Sequence, residues 1–183
     1  MSGFVLWFTG LSAAGKTTVG SLVARELEAR GLTVEMLDGD VIRTHLSQGL
    51  GYSKEDRDTN IARIGWVASR LARAGAAVVV SAISPYEEAR RRARALVAEH
   101  APFVEVHVAT SLEVCAARDP KGLYAKARSG EIEHFTGVSD PYEEPASPEL
   151  RLDTDGREPA ESAASVLARL EDLQLVAARE AVT

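Results

Sequence analysis

Cysteine is almost missing from this chain: Cys115 is the single one in 183 residues. One thiol excludes an internal disulfide and any multi-cysteine metal site, and it suits a reducing compartment. Its ordinary role is that of a small buried hydrophobe. Positive charge is in deficit, with 21 Lys and Arg against 27 Asp and Glu and a formal net charge of −6. An acidic balance argues against nucleic acid or an anionic membrane as the main partner, because both reward a basic surface. No apolar run approaches the length needed to cross a bilayer, and Met1 to Phe8 carries no basic leader. The four histidines, His45, His100, His107 and His134, include no pair at metal-ligand spacing and receive no chemistry. Internal repeats, linkers and low-complexity tracts are absent too, although Ala177 to Thr183 is expected to fray. The expectation is one soluble cytoplasmic domain spanning residues 1–183, long enough at 45% hydrophobic residues to bury a proper core.

What is present begins with Gly10-Leu11-Ser12-Ala13-Ala14-Gly15-Lys16-Thr17, which fits the phosphate-binding loop pattern GxxxxGK[ST]. Glycines allow a tight turn that brings successive N–H groups to face phosphate oxygens; Lys16 adds a point charge, and Thr17 a hydroxyl suited to Mg²⁺. The context agrees. Phe4 to Phe8 is a continuous apolar run typical of a strand buried on both faces, and a helical stretch from Lys16 to Arg30 follows.

Gly31 ends that helix, and Thr33 to Leu37 reads as a second strand running into Asp38-Gly39-Asp40. In a parallel α/β sheet ligands bind at the strands' C-terminal rim, so both carboxylates are candidates for the site. The alternative is a turn in which Asp40 caps the next helix. Ser53-Lys54-Glu55-Asp56 has capping-box form and opens a long helix to about Ala74. Its stripe of Ile61, Ile64, Val67, Ala68 and Leu71, extended backward, places Arg57 and Asn60 on the core-facing side. There they either meet an anionic ligand or, for Arg57, pair with Asp56 or Asp58 in solvent.

Ala76 to Val80 is a third strand, with the polar loop Ser81 to Tyr86 at its end. Glu87 to Glu99 carries Arg90, Arg91, Arg92 and Arg94, read as the solvated face of a surface helix. Phe103 to Val108 is a fourth strand, with Glu105 and His107 sharing its less buried side. Arg118 to Ser129 holds four cations in the eleven residues to Arg128; it suits a lid that closes over a nucleotide, or else an exposed helix with ordinary lysines. Phe135 is an aromatic without an obvious core stripe. Leu150 to Thr154 makes a fifth strand and Pro159 to Leu175 a final helix. This alternation predicts an α/β, three-layer P-loop NTPase fold: a mainly parallel five-stranded sheet, helices on both faces and a lid over about 118–137.

Taken together, several segments closely resemble the adenylyl-sulfate kinase (APS kinase) family. They are Trp7 to Ser12, Asp38-Gly39-Asp40 with Arg43, Leu50 to Ser53, Asp56-Arg57 with Asn60-Ile61, Ile83 to Tyr86, Arg118 to Tyr124, Phe135 to Gly137 and Pro148 to Leu150, collinear over about Phe4 to Thr154. The resemblance implies transfer of the γ-phosphate of ATP to the 3′-hydroxyl of adenosine 5′-phosphosulfate, giving PAPS, with Mg²⁺ as cofactor. It implies that Gly10 to Thr17 and Thr18 hold the triphosphate, that Thr17 binds the metal, and that Arg118 lies against the ATP base. Asp38, through water, and Asp40 become candidates for ordering the metal shell and receiving the hydroxyl proton. Arg43, Arg57, Asn60 and the Ile83-Ser84 backbone would hold the phosphosulfate. Tyr52 and Phe135 would sandwich its adenine, and Lys121 would face the phosphates. A homodimer and association with an ATP sulfurylase are also implied. Among departures from the family pattern, Ala13 stands for a common glycine, tolerable with ordinary dihedral angles. Glu87 would weaken attraction for an anion if it faced the site. Ser84 matches a serine phosphorylated in some members, yet in-line transfer needs no covalent intermediate. The rival readings are a kinase of another small hydroxylated metabolite and a non-catalytic nucleotide-binding module.

Overall fold

In a computed structural model, residues 3–178 are described; residues 179–183 of the terminus expected to fray lie outside them. The chain runs β1 (Phe4–Thr9), α1 (Lys16–Ala29), β2 (Val34–Asp38), α2 (Gly39–His45), α3 (Lys54–Arg73) and β3 (Ala77–Ser81). It continues with α4 (Glu87–Ala98), β4 (Phe103–Val108), α5 (Leu112–Arg118), α6 (Leu123–Arg128), β5 (Leu150–Leu152) and α7 (Pro159–Asp172). The five strands form one sheet in the order β2-β3-β1-β4-β5, parallel at every pairing. It is thus wholly rather than mainly parallel.

Because side chains alternate across a strand, β1 feeds two cores at once. Phe4, Leu6 and Phe8 pack with α1, α7 and the lid residues Tyr124 and Phe135. Val5 and Trp7 face the other way, into the layer built by α3 and α4. Trp7 stacks on Phe103 with centroids 5.6 Å apart. This sandwich of helix, sheet and helix is the P-loop NTPase architecture, and it puts β1 at the sheet's centre, so the loop after β1 opens at the middle of the rim.

The helix starts follow the sequence signals, with one variation. Ser53 caps α3 by accepting from Asp56 N, but the Asp56 carboxylate reaches past Ser53 to Gly51 N at 3.0 Å, tying down the preceding turn. The stripe on α3 is buried at Ile61, Ile64 and Ala68 and carries Arg57 and Asn60 with it, 7% and 6% exposed.

Two expectations fail. The run on α4 is not a uniform solvated face: Arg91 and Arg92 are exposed, while the Arg90 side chain is 2% exposed. Glu105 and His107 do share a face of β4, yet both are buried. The segment before β5 covers them: Glu149 accepts from Glu105 N at 2.6 Å, and the Tyr142 ring stacks on His107 at 5.8 Å. Phe135, too, belongs to the core, meeting Tyr124 edge-on at 5.0 Å.

Candidate active site

A cleft of about 1160 Å³ runs along the C-terminal rim, bounded by the phosphate loop, the β2–α2 turn, the start of α3, the loop after β3 and the segment around Lys121 and Phe135. Its centre is the loop between β1 and α1. Gly10 at φ +149 lies so close to β4 that a Cβ would come within 2.4 Å of Val108 O, and Gly15 at φ +102 opens α1. Between them the loop carbonyls are held by side chains. Lys16 Nζ donates to Gly10 O at 2.9 Å and Leu11 O at 2.7 Å. Tyr124 OH donates to Ser12 O at 3.0 Å, Arg118 Nη1 to Ala13 O at 3.4 Å, and Thr154 Oγ1 to Ala14 O at 2.8 Å. Among the described residues, the amides of Ser12, Ala13, Gly15, Lys16 and Thr17 donate to no protein group, so the loop presents a concave set of donors to an anion. Ala13 does not keep ordinary dihedral angles. Its φ is +60, a left-handed conformation that costs an L-residue roughly 1–2 kcal/mol relative to glycine.

Lys16 is 8% exposed. Burial pulls its ammonium down to about 8, against the opposing pull of Cys115, Asp38 and Asp40. Thr17 Oγ1 donates to Asp38 Oδ2 at 2.7 Å, while Asp38 Oδ1 accepts from Asp40 N at 3.0 Å. The helix-cap reading of the Asp-Gly-Asp turn therefore holds for Asp38 rather than Asp40, and the capping carboxylate remains on the cleft. Asp40 projects from the first turn of α2 and pairs with Lys121 across the cleft.

The other half of the cleft is cationic. Arg57 donates through Nε to Tyr52 O at 2.9 Å and through Nη2 to His134 O. Neither Asp56 nor Asp58 pairs with it: Asp56 serves Gly51 N, and Asp58 takes Lys54 at 2.6 Å. Desolvation lowers the Arg57 pKa. Asn60 Oδ1 is buried with no hydrogen-bond partner. Arg43 donates to Gly51 O at 3.0 Å and lies over the exposed Tyr52 ring at 4.4 Å. Ile83 and Ser84 line the cleft, and the Ser84 hydroxyl is engaged within the protein, accepting from Trp7 Nε1 at 3.0 Å and donating to Ala82 O at 3.2 Å.

Most of the residues singled out from sequence meet in this one cleft. Gly10, Leu11 and Ala14 do not line it: Gly10 and Ala14 are buried, and Leu11 lines a separate cavity of about 260 Å³ with His107 and Tyr142. Arg118 lines the cleft but engages Thr154 through both Nη atoms, at 2.8 Å each. Glu87 lies outside it and is neutralised by Arg90 at 2.7 Å, so it does not oppose an anion. Sequence reading missed Thr136, whose Oγ1 is buried without a partner on the cleft wall, although it sits between two residues of a motif already in hand. It also missed Tyr124 and Thr154, whose service to the phosphate loop only the folded chain reveals.

Loop amides converging opposite a carboxylate pair, at the centre of a parallel sheet's rim, define a P-loop kinase. The family model for adenylylsulphate kinase matches residues 2–153, and the chain belongs to that family. An adenylyl-sulfate kinase of Picosynechococcus is 52% identical, covering 93% of this chain and 95% of its own length. The protein described as probable bifunctional SAT/APS kinase 2 of Sorangium cellulosum is 55% identical over 99% of this chain, which spans 31% of that relative's length. Among solved structures, the APS kinase of Mycobacterium tuberculosis in complex with AMPPNP and APS superposes with a TM-score of 0.90 at 48% identity, covering 93% of this chain and 98% of that one.

Proposed function

We propose that this chain transfers the γ-phosphate of ATP to the 3′-hydroxyl of adenosine 5′-phosphosulfate, giving PAPS. The observation that carries the reading is the pair of buried groups at the head of α3. Arg57 has no carboxylate partner and Asn60 Oδ1 has no partner at all, and both open onto the cleft that holds the phosphate loop. A desolvated cation and a bare acceptor call for a ligand that supplies an anion and a donor.

Phosphoryl transfer depends mainly on alignment and charge stabilisation. The loop amides and Lys16 hold the donor phosphates. Arg118, whose Nη groups engage Thr154 and Ala13, offers its guanidinium plane to the ATP base. Arg43, Arg57, Asn60 and the Ser84 amide hold the phosphosulfate. Tyr52 and Phe135 flank the acceptor's adenine, and Lys121 faces the phosphates. Both Asp38 oxygens are engaged, by Thr17 and by the Asp40 amide; Asp40 is the freer carboxylate and takes the hydroxyl proton. Thr17 and Asp38 supply a hydroxyl and a carboxylate side by side, hard oxygen donors of the kind Mg²⁺ accepts, and they would hold that ion. Among the described residues no cluster of three His, Cys, Asp or Glu forms a protein cage, as suits a metal that takes most of its ligands from phosphate and water. When bound, Mg²⁺ neutralises charge on the transferring phosphates.

Among the described residues no helix is long and apolar enough to cross a membrane. We place the enzyme in the cytoplasm, as a homodimer on the family resemblance. Association with an ATP sulfurylase rests on the bifunctional relative. The test is direct. Purified protein with Mg-ATP and adenosine 5′-phosphosulfate should yield stoichiometric ADP and PAPS by mass spectrometry, with turnover abolished in Asp40→Asn. Robust phosphorylation of another metabolite with none of this substrate would sink the reading.

A further inference from the structure

The loop after β3 contains a conformation that an L side chain rarely adopts, and the helix that follows it, α4, carries a buried arginine whose run reads from sequence as solvated. Ser84 has φ +41. Two successive carbonyls there are drawn inward: Ile83 O accepts from Thr9 Oγ1 at 2.7 Å and Gly10 N at 3.4 Å. Ser84 O accepts from Arg90 Nη1 at 2.7 Å and Thr9 Oγ1 at 3.4 Å. In a trans peptide the N–H points opposite the preceding carbonyl. Drawing Ile83 O into the sheet therefore turns the Ser84 N–H outward, and among the described residues that amide donates to no protein group. Holding both carbonyls on one side requires the left-handed Ser84, and Arg90 supplies the second hold.

Everything around Arg90 fixes its aim. Nη2 donates to Glu87 Oε2 and Glu143 O, both at 2.7 Å. Nε lies 3.1 Å from Glu105 Oε1, an ion-pair contact without hydrogen-bond geometry. The guanidinium sits 5.9 Å from the Tyr142 ring, and Tyr142 OH bonds Thr9 Oγ1 at 2.9 Å. A partner for Glu105 alone would not need a planar fork spanning three carbonyl and carboxylate groups. We propose that Arg90, which does not line the cleft, is a positioning residue: by clamping Ser84 O it keeps the Ser84 amide presented to the acceptor substrate. The inference rests on the function proposed above and concerns the phosphosulfate side of the cleft, leaving the nucleotide side alone.

The experiment compares wild type, Arg90→Lys and the charge-balanced pair Arg90→Met with Glu105→Gln, varying each substrate separately and measuring AMPPNP binding and the melting temperature. Losing a charged hydrogen bond to a strained turn should raise KM for adenosine 5′-phosphosulfate roughly tenfold to a hundredfold. KM for ATP and AMPPNP affinity should stay within about twofold, as they would for any change confined to the acceptor. Glycine adopts positive φ freely, so in a Ser84→Gly background the effect of Arg90→Lys should shrink to a few fold. Parallel rises in both KM values, or an undiminished effect in the glycine background, overturns the proposal in favour of plain structural support. Wild-type protein inactive on this acceptor overturns the functional reading and this inference together, whereas an active wild type with unsplit variants removes only Arg90.

Discussion

Lys16 shows how burial sets chemistry at a single residue. Its ammonium is held near 8 because desolvation outweighs the nearby carboxylates, and an incoming triphosphate supplies the negative charge that restores it. Binding above about pH 8 should therefore take up a fraction of a proton that grows as free Lys16 loses its own, and nucleotide affinity should fall as pH rises through 8. Calorimetry of AMPPNP binding in two buffers of different ionisation heat measures that uptake; Lys16→Arg, charged throughout, should abolish it. The same residue has an opposite linkage to folding. Its folded pKa lies below the unfolded value, so the penalty of burying it charged is complete below pH 8 and is relieved as pH rises towards the unfolded pKa. Nucleotide affinity that holds constant up to pH 10 would show that Lys16 keeps its proton in the free protein.

Among the elements, α3 and α4 pack closely, and the constraint passes through a glycine. A Cβ on Gly65 would fall 2.9 Å from Ala93 Cβ and 3.1 Å from Ala93 Cα, so the two helices touch almost backbone to backbone. Gly65→Ala gains about 1 kcal/mol of helix propensity, but overpacking against a main chain that cannot yield costs about 1–3 kcal/mol. The clash should win, with a net loss of up to about 2 kcal/mol in urea unfolding, and a stabilised variant would show that the helices can part freely. Helices of this kind were legible in advance, since their apolar stripes and caps are local signals, and so were strands apolar on both faces. Glu105, His107 and Arg90 were not. Each looks solvent-facing on its own element and is met by residues 142–149 from a distant part of the chain, a contact no local pattern encodes. Ala13 illustrates the same limit at the backbone, because identity alone does not disclose a φ of +60. The candidate site residues were legible as motifs, while groups that hold the phosphate loop's carbonyls, Tyr124 and Thr154, became so only with the fold.

Across the whole molecule, an acidic chain of net charge −6 must gather positive charge where anions bind, and it does so by bringing distant segments to one rim. The phosphate loop brings Lys16, α3 brings Arg57, and the lid brings Arg118 to the phosphate loop and Lys121 to the turn that carries Asp40. The Lys121–Asp40 pair is the direct ion pair between lid and β2–α2 turn, and both side chains are well exposed, at 61% and 74%. An exposed pair of this kind contributes about 0–1 kcal/mol to stability, so folding cannot be its purpose. On the function proposed above, the pair keeps a lid cation beside the carboxylate assigned to the acceptor's proton, from where that cation is placed to reach the phosphates as charge develops there. Lys121→Ala should therefore leave the urea midpoint almost unchanged, within about 0.5 kcal/mol, while lowering kcat at least roughly tenfold. The reverse pattern, a destabilised protein turning over normally, would make the pair a structural tie and remove the lid from the mechanism.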